Sequence, residues 1–453
     1  MSSSRDEGRG TGDGGAGSSA APAAVRWSLP LRLAFRFFAI YFTLQVAPWN
    51  WVARIPGLDR ISDPYDTLLD WSVHWSNARL FHVRDALVQP NGSGDTSWAW
   101  AQLWLFLSIA VLGTVVWSLL DRRRPAYPRG AYYLRAMVRY YVATFALSYG
   151  IIKIFALQMT FPSLSQMATP LGDLLPMRLS WLFIGYSTSY QVFSGVMETV
   201  AGLLLLWRRT VTLGLIAAAG AFLNVVMINL SYDVPVKLFA SHLLLACVFL
   251  LAQDAPRLIR LLALNLGAPR TTLYDPPAAS RNVRVLRIAA KAVMIILILV
   301  LPLQGSWARA RANARVAAAV PLPAGIYEVR RFAVNGDTIP AFDTERPRWS
   351  DFIIDNAMQG SIGTTDSLFW QRYRRGHFRY KADTAAHTLA VWRTSFLLDS
   401  TPSFLARYEL PDSNSAKLWT TIRGDSVYVE LRRSARSFQL AERQFHWLSE
   451  YNR

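Results

Sequence analysis

The sequence predicts an α-helical polytopic membrane bundle of about seven spans, followed by a small C-terminal antiparallel β domain. Hydrophobic residues make up 52% of the 453 residues and charged residues only 17%, whereas an average soluble domain has roughly 25% charged residues. Seven apolar runs are long enough to cross a hydrocarbon layer of about 30 Å. After residue 320, short segments rich in aromatic and β-branched residues replace these runs, a pattern typical of strands.

The chain divides into five regions on this pattern. Residues 1–25 contain mainly Gly, Ser and Ala and are predicted to be a disordered tail, because they bury too little apolar surface to offset chain entropy. Residues 26–135 hold two N-terminal spans with an external loop, and residues 136–260 hold a four-helix membrane core. Residues 261–320 supply a cytoplasmic loop and the seventh span, and residues 321–453 form an extracytoplasmic β-rich domain.

The predicted spans are apolar runs of about 20 residues, the length that an α-helix needs to cross a bilayer. They comprise residues 33–52, 100–120, 136–159, 187–207, 210–230, 236–253 and 285–304. The first run is interrupted by Arg36 and Pro48. It also begins late and ends without a small-residue cleavage site, so an uncleaved first helix is expected rather than a secretory signal.

Basic residues are unevenly distributed among the predicted loops. Arg is frequent before span one and in the loops after spans two, four and six, whereas the loop after span one carries six Asp residues. Cytoplasmic loops have an excess of Lys and Arg, so the N-terminus is predicted to be cytoplasmic and the C-terminal domain extracytoplasmic. The excess of Arg that gives the net charge of +18 is therefore interpreted as setting the orientation of the spans in the bilayer. No nucleic-acid partner is predicted.

The C-terminal domain is predicted from short runs bounded by turn residues. These runs are residues 349–354, 376–381, 388–393, 404–410, 417–422 and 427–431. Apolar and polar residues alternate in the last run, which would place one apolar face on a core. The segment Arg423-Gly424-Asp425-Ser426 indicates a hairpin turn, because Gly accepts a positive φ without steric cost. A small sandwich or barrel is expected.

Polar side chains inside the predicted spans are the main candidate site residues, because an ionisable group at the bilayer centre costs at least about 2.5–3.5 kcal/mol. The catalytic candidates are Lys153, Glu198, Lys237 and His242, and the binding candidates are Tyr149, Tyr190, Asn224 and Asn229. Only five of the 48 basic residues are Lys, and Lys, unlike Arg, can serve as a base or nucleophile. We expect these residues to form an outward-facing polar pocket within spans three to six.

Structural explanations stay open at the same positions. Lys153 and Lys237 could snorkel to the membrane interface, and Lys237 could simply pair with Asp233 four residues earlier. Glu198 could only hold helices together through a hydrogen bond. His242 could be a ligand, a proton relay or a packing residue.

Metal and disulfide chemistry are not expected. Cys247 is the single cysteine, which excludes a disulfide framework and a Cys-based metal site within this chain. The six His residues include no i, i+4 pair, so no dedicated metal site is predicted. The Trp residues near the first external loop fit an aromatic belt at a membrane interface better than a platform for stacking bases.

Four motifs of the central core carry a resemblance to a known family. They are Tyr149-Gly150-x-x-Lys153, Pro170-Leu171-Gly172-Asp173, Gly195-x-x-Glu198 with Gly202-Leu203-Leu204-Leu205, and Asp233-Val234-Pro235-Val236-Lys237. Together they resemble bacterial membrane proteins of the DoxX-like group, over about a quarter of the chain. The resemblance implies a four-helix membrane core and a location in the bacterial inner membrane, and some members of that group are linked to quinone-coupled sulfur oxidation. Residues 445–453 resemble the C-terminus of larger DoxX-like proteins that carry an extra domain.

Three functions are compatible with these observations. In the first, the protein is an accessory or redox-linked component that binds a small lipophilic partner such as a quinone. Cys247 cannot do dithiol chemistry alone, so sulfur redox work would need a partner protein. In the second, it is a non-catalytic membrane assembly or interaction factor acting through its β domain. In the third, suggested by the similarity of Tyr149-x-x-x-Lys153 to the vitamin-K-carboxylase-like transmembrane domain, Lys153 acts as a base.

Overall fold

The structure is a computed structural model that combines a helical region with a C-terminal antiparallel β-barrel domain. It describes residues 26–55, 57–316, 323–343, 345–356, 358–369, 373–394, 401–443 and 447–448. The predicted disordered tail, residues 1–25, lies outside these ranges, as does most of the segment 445–453.

Most of the chain between residues 29 and 316 is helical. The α-helices are α1 (Leu29–Val46), α2 (Trp49–Val52), α3 (Asp63–Ser76), α4 (Ser97–Leu120), α5 (Pro128–Ile154), α6 (Leu164–Met167), α7 (Pro176–Tyr186), α8 (Thr188–Leu204), α9 (Val211–Ser231), α10 (Lys237–Ala252), α11 (Ala255–Leu258), α12 (Arg281–Ile295) and α13 (Leu301–Val316), with α14 (Gln439–Glu442) after the barrel. Short 3₁₀ turns lie at Asp59–Ser62 and Leu171–Asp173, and π-helical turns at Asn77–Phe81, Ile259–Ala263 and Ile296–Val300. The last π-helical turn joins α12 to α13 in one long helix.

Local sequence explains where several of these helices begin. The hydroxyl groups of Thr96, Ser187 and Ser280 accept backbone N–H groups of the first turns of α4, α8 and α12, which satisfies donors that have no partner within the helix. α5 and α7 begin with Pro128 and Pro176, and proline is favoured at the first helical position because its φ is already helical.

Four helical stretches within the described residues are long and apolar enough to cross a membrane. They are Leu29–Val52, Ser97–Leu120, Val211–Ser231 and Arg281–Asn313. A fifth is counted if α10 and Ala255–Ala263, which meet at a bend of 74°, form a single span. Length and composition therefore support a membrane protein with about four spans.

The predicted count of seven spans is not supported, although each of the seven predicted intervals contains a helix. α8 and α10 have 17 and 16 residues, so at about 1.5 Å per residue they are shorter than a hydrocarbon layer of about 30 Å. α5 has 27 residues but includes Arg129, Arg135, Arg139 and Lys153. The predicted intervals were selected for apolar composition, which does not determine where a helix ends.

α5 is the central helix of the helical region. It has buried residues from Ala131 to Lys153 and packs against α1, α8 and α10. Its Leu147 and Ile151 belong to the same apolar core as Phe42 of α1 and Cys247 of α10. Burial on several faces explains why this helix tolerates polar residues that find partners inside the bundle.

Arg36, which interrupts the first apolar run, is buried and hydrogen-bonded. Its guanidinium donates to the Ser118 hydroxyl at 2.7 Å, to the Asp121 carbonyl at 2.9 Å and to the Tyr127 hydroxyl at 2.7 Å. These bonds tie α1 to the end of α4 and to the residue before α5. A charged residue inside a predicted span is therefore accommodated by neighbouring polar groups.

Nine strands form the C-terminal domain within the described residues. They are β1 (Gly325–Val334), β2 (Asp337–Thr338), β3 (Trp349–Asp355), β4 (Gln359–Thr364), β5 (Arg375–Asp383), β6 (Thr388–Arg393), β7 (Phe404–Asp412), β8 (Ser415–Ile422) and β9 (Asp425–Arg433). Every neighbouring pair is antiparallel, and β9 pairs back with β1 from Tyr327↔Arg433 to Val334↔Val427. This closure makes an up-and-down barrel, in which the two-residue β2 pairs antiparallel with the end of β1. Closure removes exposed strand edges.

The six predicted strands are confirmed, and three further strands were not predicted. β9 shows the predicted alternation, with Val427, Val429 and Leu431 buried in the barrel core. The turn before β9 is also confirmed, because Arg423 and Gly424 both have positive φ, at 55° and 95°, as a two-residue hairpin turn requires. The missed strand β4 contains two Gly residues and a Ser, which have low strand propensity.

The outer wall of the barrel contacts the helical region through the segment between α5 and α8. The Ser361 hydroxyl donates to the Ser165 hydroxyl at 2.7 Å, and Arg375 donates to Ser361 at 3.0 Å and also pairs with Asp351. The Arg178 guanidinium donates to the Tyr373 hydroxyl at 2.7 Å. The barrel is therefore attached to the helices by specific polar contacts, several of them buried.

Candidate functional site

The buried ion pair of Lys153 and Glu198 is the strongest candidate site. Lys153 lies near the C-terminal end of α5 and Glu198 in the middle of α8, and the Lys153 ammonium donates to the Glu198 carboxylate. The two side chains are only 8% and 5% exposed. Both ions have thus lost most of their contact with solvent, which is tolerated when they neutralise each other.

Glycines bring α5 and α8 into the close contact that places this pair. A Cβ atom on Gly195 would lie 2.6 Å from the Gly150 carbonyl oxygen and 2.8 Å from the Cβ of Lys153. A Cβ on Gly150 would lie 2.3 Å from the Thr199 hydroxyl oxygen. Small residues at a helix interface allow the two backbones to approach. The separation of Lys153 and Glu198 is therefore set by glycines on both helices.

Two polar atoms beside the ion pair have no hydrogen-bond partner within the described residues. They are the Oε2 atom of Glu198 and the hydroxyl oxygen of Thr199, both buried. Most buried polar atoms in proteins have a partner, so such exceptions need an explanation. A ligand that accepts a hydrogen bond from Thr199 or donates one to Glu198 would satisfy them.

The surroundings of the pair include two neighbouring aromatic rings and a hydrogen-bonded loop. The half-buried Tyr149 ring lies 6.2 Å from the ring of Phe239 on α10. Gln191, one turn into α8 and buried, donates to the Met159 carbonyl and accepts the Met159 N–H, each at 2.8 Å. The carboxamide thereby anchors the segment that follows α5. Gln191 was not among the predicted site residues, and its double contact depends on the fold because Met159 lies 32 residues earlier in the chain.

His242 contacts Tyr41 of α1. Its Nδ1 lies 2.6 Å from the Leu238 carbonyl oxygen, which can only accept, so Nδ1 donates. In the neutral ring Nε2 is then the acceptor, and the Tyr41 hydroxyl donates to it at 2.5 Å. Of the roles considered for His242, these contacts correspond to a hydrogen bond between helices.

Asn229, near the end of α9, and Lys237, the first residue of α10, flank the loop that joins these helices. The Lys237 ammonium lies 2.7 Å from the carboxylate of Asp233 and 3.6 Å from that of Asp95. Asp95 also accepts the backbone N–H groups of Lys237 and Leu238 at 2.8 and 2.9 Å, so it caps the helix. The Asn229 amide donates to the Val236 carbonyl at 3.3 Å. These contacts stabilise the loop and the start of α10.

The structure does not gather the eight predicted site residues in one pocket. It joins Lys153 to Glu198, with Tyr149 one helical turn before Lys153. His242 is bonded to α1, and Lys237 and Asn229 make their contacts at the junction of α9 and α10. Asn224 and Tyr190 are exposed on α9 and α8.

Three cavities lie away from the ion pair. Two of them, of about 180 and 380 Å³, share Phe369, Ile422 and Arg423 at one end of the barrel. The third, of about 750 Å³, lies beside α5 and α12 and is lined by several basic residues. Lys153 and Glu198 line none of the three. No group of three or more His, Cys, Asp or Glu residues within the described ranges is arranged to hold a metal ion.

Comparisons with known proteins give one partial similarity. No protein-family model matches the chain, and no solved structure matches it. The chain is similar to the uncharacterised protein YwoB of Bacillus subtilis (strain 168), with 37% identity over 76 residues. The aligned part is 17% of this chain and 49% of YwoB, so the chain spans about half the length of that protein.

Proposed function

We propose that this chain is a DoxX-like protein of the bacterial inner membrane that binds a small lipophilic partner, such as a quinone, at Lys153 and Glu198. The observation that carries the proposal is the buried ion pair with two unpartnered polar atoms, Glu198 Oε2 and Thr199 Oγ1, beside it. Buried polar atoms of this kind inside a membrane protein mark candidate binding sites.

The residues present fit a carbonyl-bearing ring. A quinone supplies a redox-active ring when bound. Lys153 and the Thr199 hydroxyl can donate hydrogen bonds to a carbonyl oxygen, and Glu198 Oε2 can accept a proton or hydrogen bond from a ring hydroxyl. The rings of Tyr149 and Phe239 supply an apolar surface on the α10 side. In this proposal Lys153 is the hydrogen-bond donor to the ring and Glu198 is the acceptor.

The proposed orientation has the N-terminus in the cytoplasm and the barrel outside. This requires an odd number of crossings, as in the five-span count that takes α10 and Ala255–Ala263 as a single span. Arg32 of α1 donates to the carbonyl groups of Arg122 and Arg124, so the start of α1 and this basic loop lie at one end of the bundle. The barrel is attached to residues that follow α5, at the opposite end of that helix. Together with the positive-inside rule, this arrangement supports an extracytoplasmic barrel.

Reporter fusions test this orientation. We expect alkaline phosphatase fused after residue 453 to be active and green fluorescent protein at the same position to be dark, with the reverse for fusions at the N-terminus. A fluorescent C-terminal fusion would contradict the extracytoplasmic barrel.

Paired substitutions test the ligand site. Lys153→Met and Glu198→Gln each leave one ion buried and unpaired, which typically costs about 3–5 kcal/mol, whereas replacing both partners by apolar residues is often neutral. We therefore expect low membrane abundance for each single variant and near-normal abundance for Lys153→Met/Glu198→Met. Quinone binding is measured by quenching of Trp fluorescence with a short-chain ubiquinone.

The double variant separates ligand binding from helix packing. Normal abundance with lost quinone quenching supports the site, whereas normal abundance with unchanged quenching overturns it. Lys237→Met is the matched control, because Lys237 pairs with carboxylates at the start of α10 and is not part of the Lys153–Glu198 contact. It should keep both abundance and quenching.

A second candidate is a non-catalytic assembly or interaction factor that presents the barrel to a partner protein. The buried contacts of Ser165 with Ser361 favour it, because they hold the barrel in a defined position on the helices. Under this alternative the Lys153–Glu198 pair only stabilises the bundle. The same double variant would then retain every activity, and proteins co-purified in mild detergent would be lost on removal of residues 323–453.

A further inference from the structure

A large basic cavity lies between α5, α12 and the segment before α12. Its volume is about 750 Å³, and five of its lining residues are cationic: Arg139, Arg208, Arg284, Arg287 and Lys291. No described residue that lines it is acidic, and of the five cations Arg208 pairs with a carboxylate just outside the wall, that of Asp275 at 3.5 Å. An excess of like charges around one cavity is unfavourable unless an anion or solvent offsets it.

Arg139 is the most buried of these cations. The residue is 7% exposed, and its guanidinium lies over the rings of Tyr140 and Tyr274 at 4.8 and 5.7 Å. Its Nε atom is buried without a hydrogen-bond partner in the described part of the chain. Aromatic faces stabilise a guanidinium but do not neutralise it, so the position favours binding of an anion.

Arg287 faces the same cavity from α12 and is held in place. It donates to the Pro277 carbonyl at 3.1 Å and to the Tyr133 hydroxyl at 3.0 Å. Its Nε is also buried without a partner among the described residues. Two buried guanidinium N–H groups from different helices are therefore left for a ligand, and Lys291 lies one turn further along α12. Guanidinium groups are well suited to phosphate oxygens.

The rest of the cavity wall is apolar. Met137, Ile288, Ala290 and Met294 contribute to it, and α12 belongs to the candidate span Arg281–Asn313. Val285, Leu286 and Ile288 of α12 are exposed, as expected for a helix that contacts lipid tails. A ligand that fits must therefore combine an anionic group with long apolar chains.

We propose that this cavity binds the headgroup of an anionic phospholipid. The phosphate lies among Arg139, Arg287 and Lys291, and the acyl chains follow the apolar side of α12. Basic pockets between membrane helices on the cytoplasmic side are known to suit such headgroups. The site is separate from the Lys153–Glu198 pair and does not depend on it.

The test measures thermal unfolding of the full-length protein in mild detergent, followed by Trp fluorescence. Phosphatidylglycerol, phosphatidylcholine and inorganic phosphate are titrated separately. We expect a saturable rise in Tm with phosphatidylglycerol and little change with the other two. Apparent affinity should fall about fivefold for each cation removed in Arg287→Gln and Lys291→Gln.

Two controls keep the proposal falsifiable. Arg123→Gln removes an exposed cation of the basic loop after α4 and should leave the response unchanged, as should Lys153→Met/Glu198→Met. Lys291→Gln leaves the Arg287 contacts in place, so its result stands even if Arg287→Gln, which loses the bonds to Pro277 and Tyr133, fails to fold. Equal responses of wild type, Arg287→Gln and Lys291→Gln would overturn the site. An equal rise with inorganic phosphate would overturn the assignment to a lipid.

Discussion

The carboxylate of Asp355, at the end of β3, accepts the backbone N–H of Ser165 at 3.2 Å at the start of α6. Its second oxygen accepts the Ser163 hydroxyl, also at 3.2 Å. A barrel residue thus caps a helix of the helical region from 190 residues away in sequence. Asp355 and Ser165 are both buried, so this contact couples the two parts of the protein.

Asp355→Asn should weaken the attachment of the barrel. Loss of the charged acceptor is expected to cost about 1–3 kcal/mol, because hydrogen bonds to charged groups and helix caps fall in this range. The measurement is thermal unfolding in detergent, where one transition should become two. Asp383→Asn is the control, since Asp383 accepts the N–H groups of Ala385 and Ala386 within a barrel turn. A single unshifted transition for Asp355→Asn would disprove the coupling.

Gly195→Ala should disrupt the contact between α5 and α8. The added Cβ would lie 2.6 Å from the Gly150 carbonyl and 2.8 Å from the Ile154 N–H nitrogen, and neither backbone atom can move aside easily. We expect destabilisation of about 1–3 kcal/mol or more, seen as a lower Tm and reduced membrane abundance. Gly220→Ala on α9 is the matched control, because nothing lies within 4 Å of its Cβ position. It should be neutral or slightly stabilising.

Tyr41→Phe should destabilise the protein by leaving Nε2 of His242 without its donor. The expected cost is about 1–3 kcal/mol for a buried polar atom that loses its partner, measured as a fall in Tm. Tyr190→Phe removes a hydroxyl from an exposed ring of α8 and should have little effect. If both variants have the same Tm as wild type, the Tyr41–His242 hydrogen bond does not contribute to stability.

Tyr380 of β5 should make the barrel sensitive to alkali. Burial raises the pKa of Tyr380 to about 12, from an ordinary value of 10.0. The unfolded chain therefore loses this proton first as pH rises, so stability is complete below pH 10 and falls between pH 10 and 12. The free energy of unfolding should fall by about 2–3 kcal/mol over this range.

Tyr380→Phe is expected to reduce this loss of stability at alkaline pH. The Tyr380 hydroxyl is buried without a partner among the described residues, so its removal should not lower Tm at pH 8 and could raise it. Part of the loss of stability at alkaline pH should remain, because burial also raises the pKa of Tyr428 to about 12. An unchanged pH profile of Tm from pH 8 to 12 would contradict this account.

Local sequence was sufficient for the barrel turn at residues 423–426 and for six of the nine described strands. The positive φ of Gly424 follows from the lack of a Cβ, and the alternation in β9 follows from the two-residue period of a strand. β4 could not be predicted in this way. Gly360 is required because a Cβ there would lie 2.3 Å from the Ile353 carbonyl and 2.5 Å from the Phe378 ring, contacts made only by neighbouring strands.

The same distinction applies to the candidate sites. Lys153 and Glu198 could be selected from the sequence because charges inside apolar runs are costly, but their pairing across 45 residues depends on the glycine contacts between α5 and α8. Arg139, Arg287 and Lys291 were not selected. Arg287 and Lys291 lie inside the predicted span 285–304, and no local pattern shows that α5 and α12 enclose one cavity.

By itself, the sequence determined the membrane character, the change from helices to strands and the candidate ionisable residues, because composition and periodicity are local properties. Tertiary structure alone decided the length of each helix, the closure of β9 on β1, the capping of α6 by Asp355 and the separation of the predicted pocket into distinct clusters. These features depend on which backbones approach closely enough to exchange hydrogen bonds, and such distances are set by packing between distant segments.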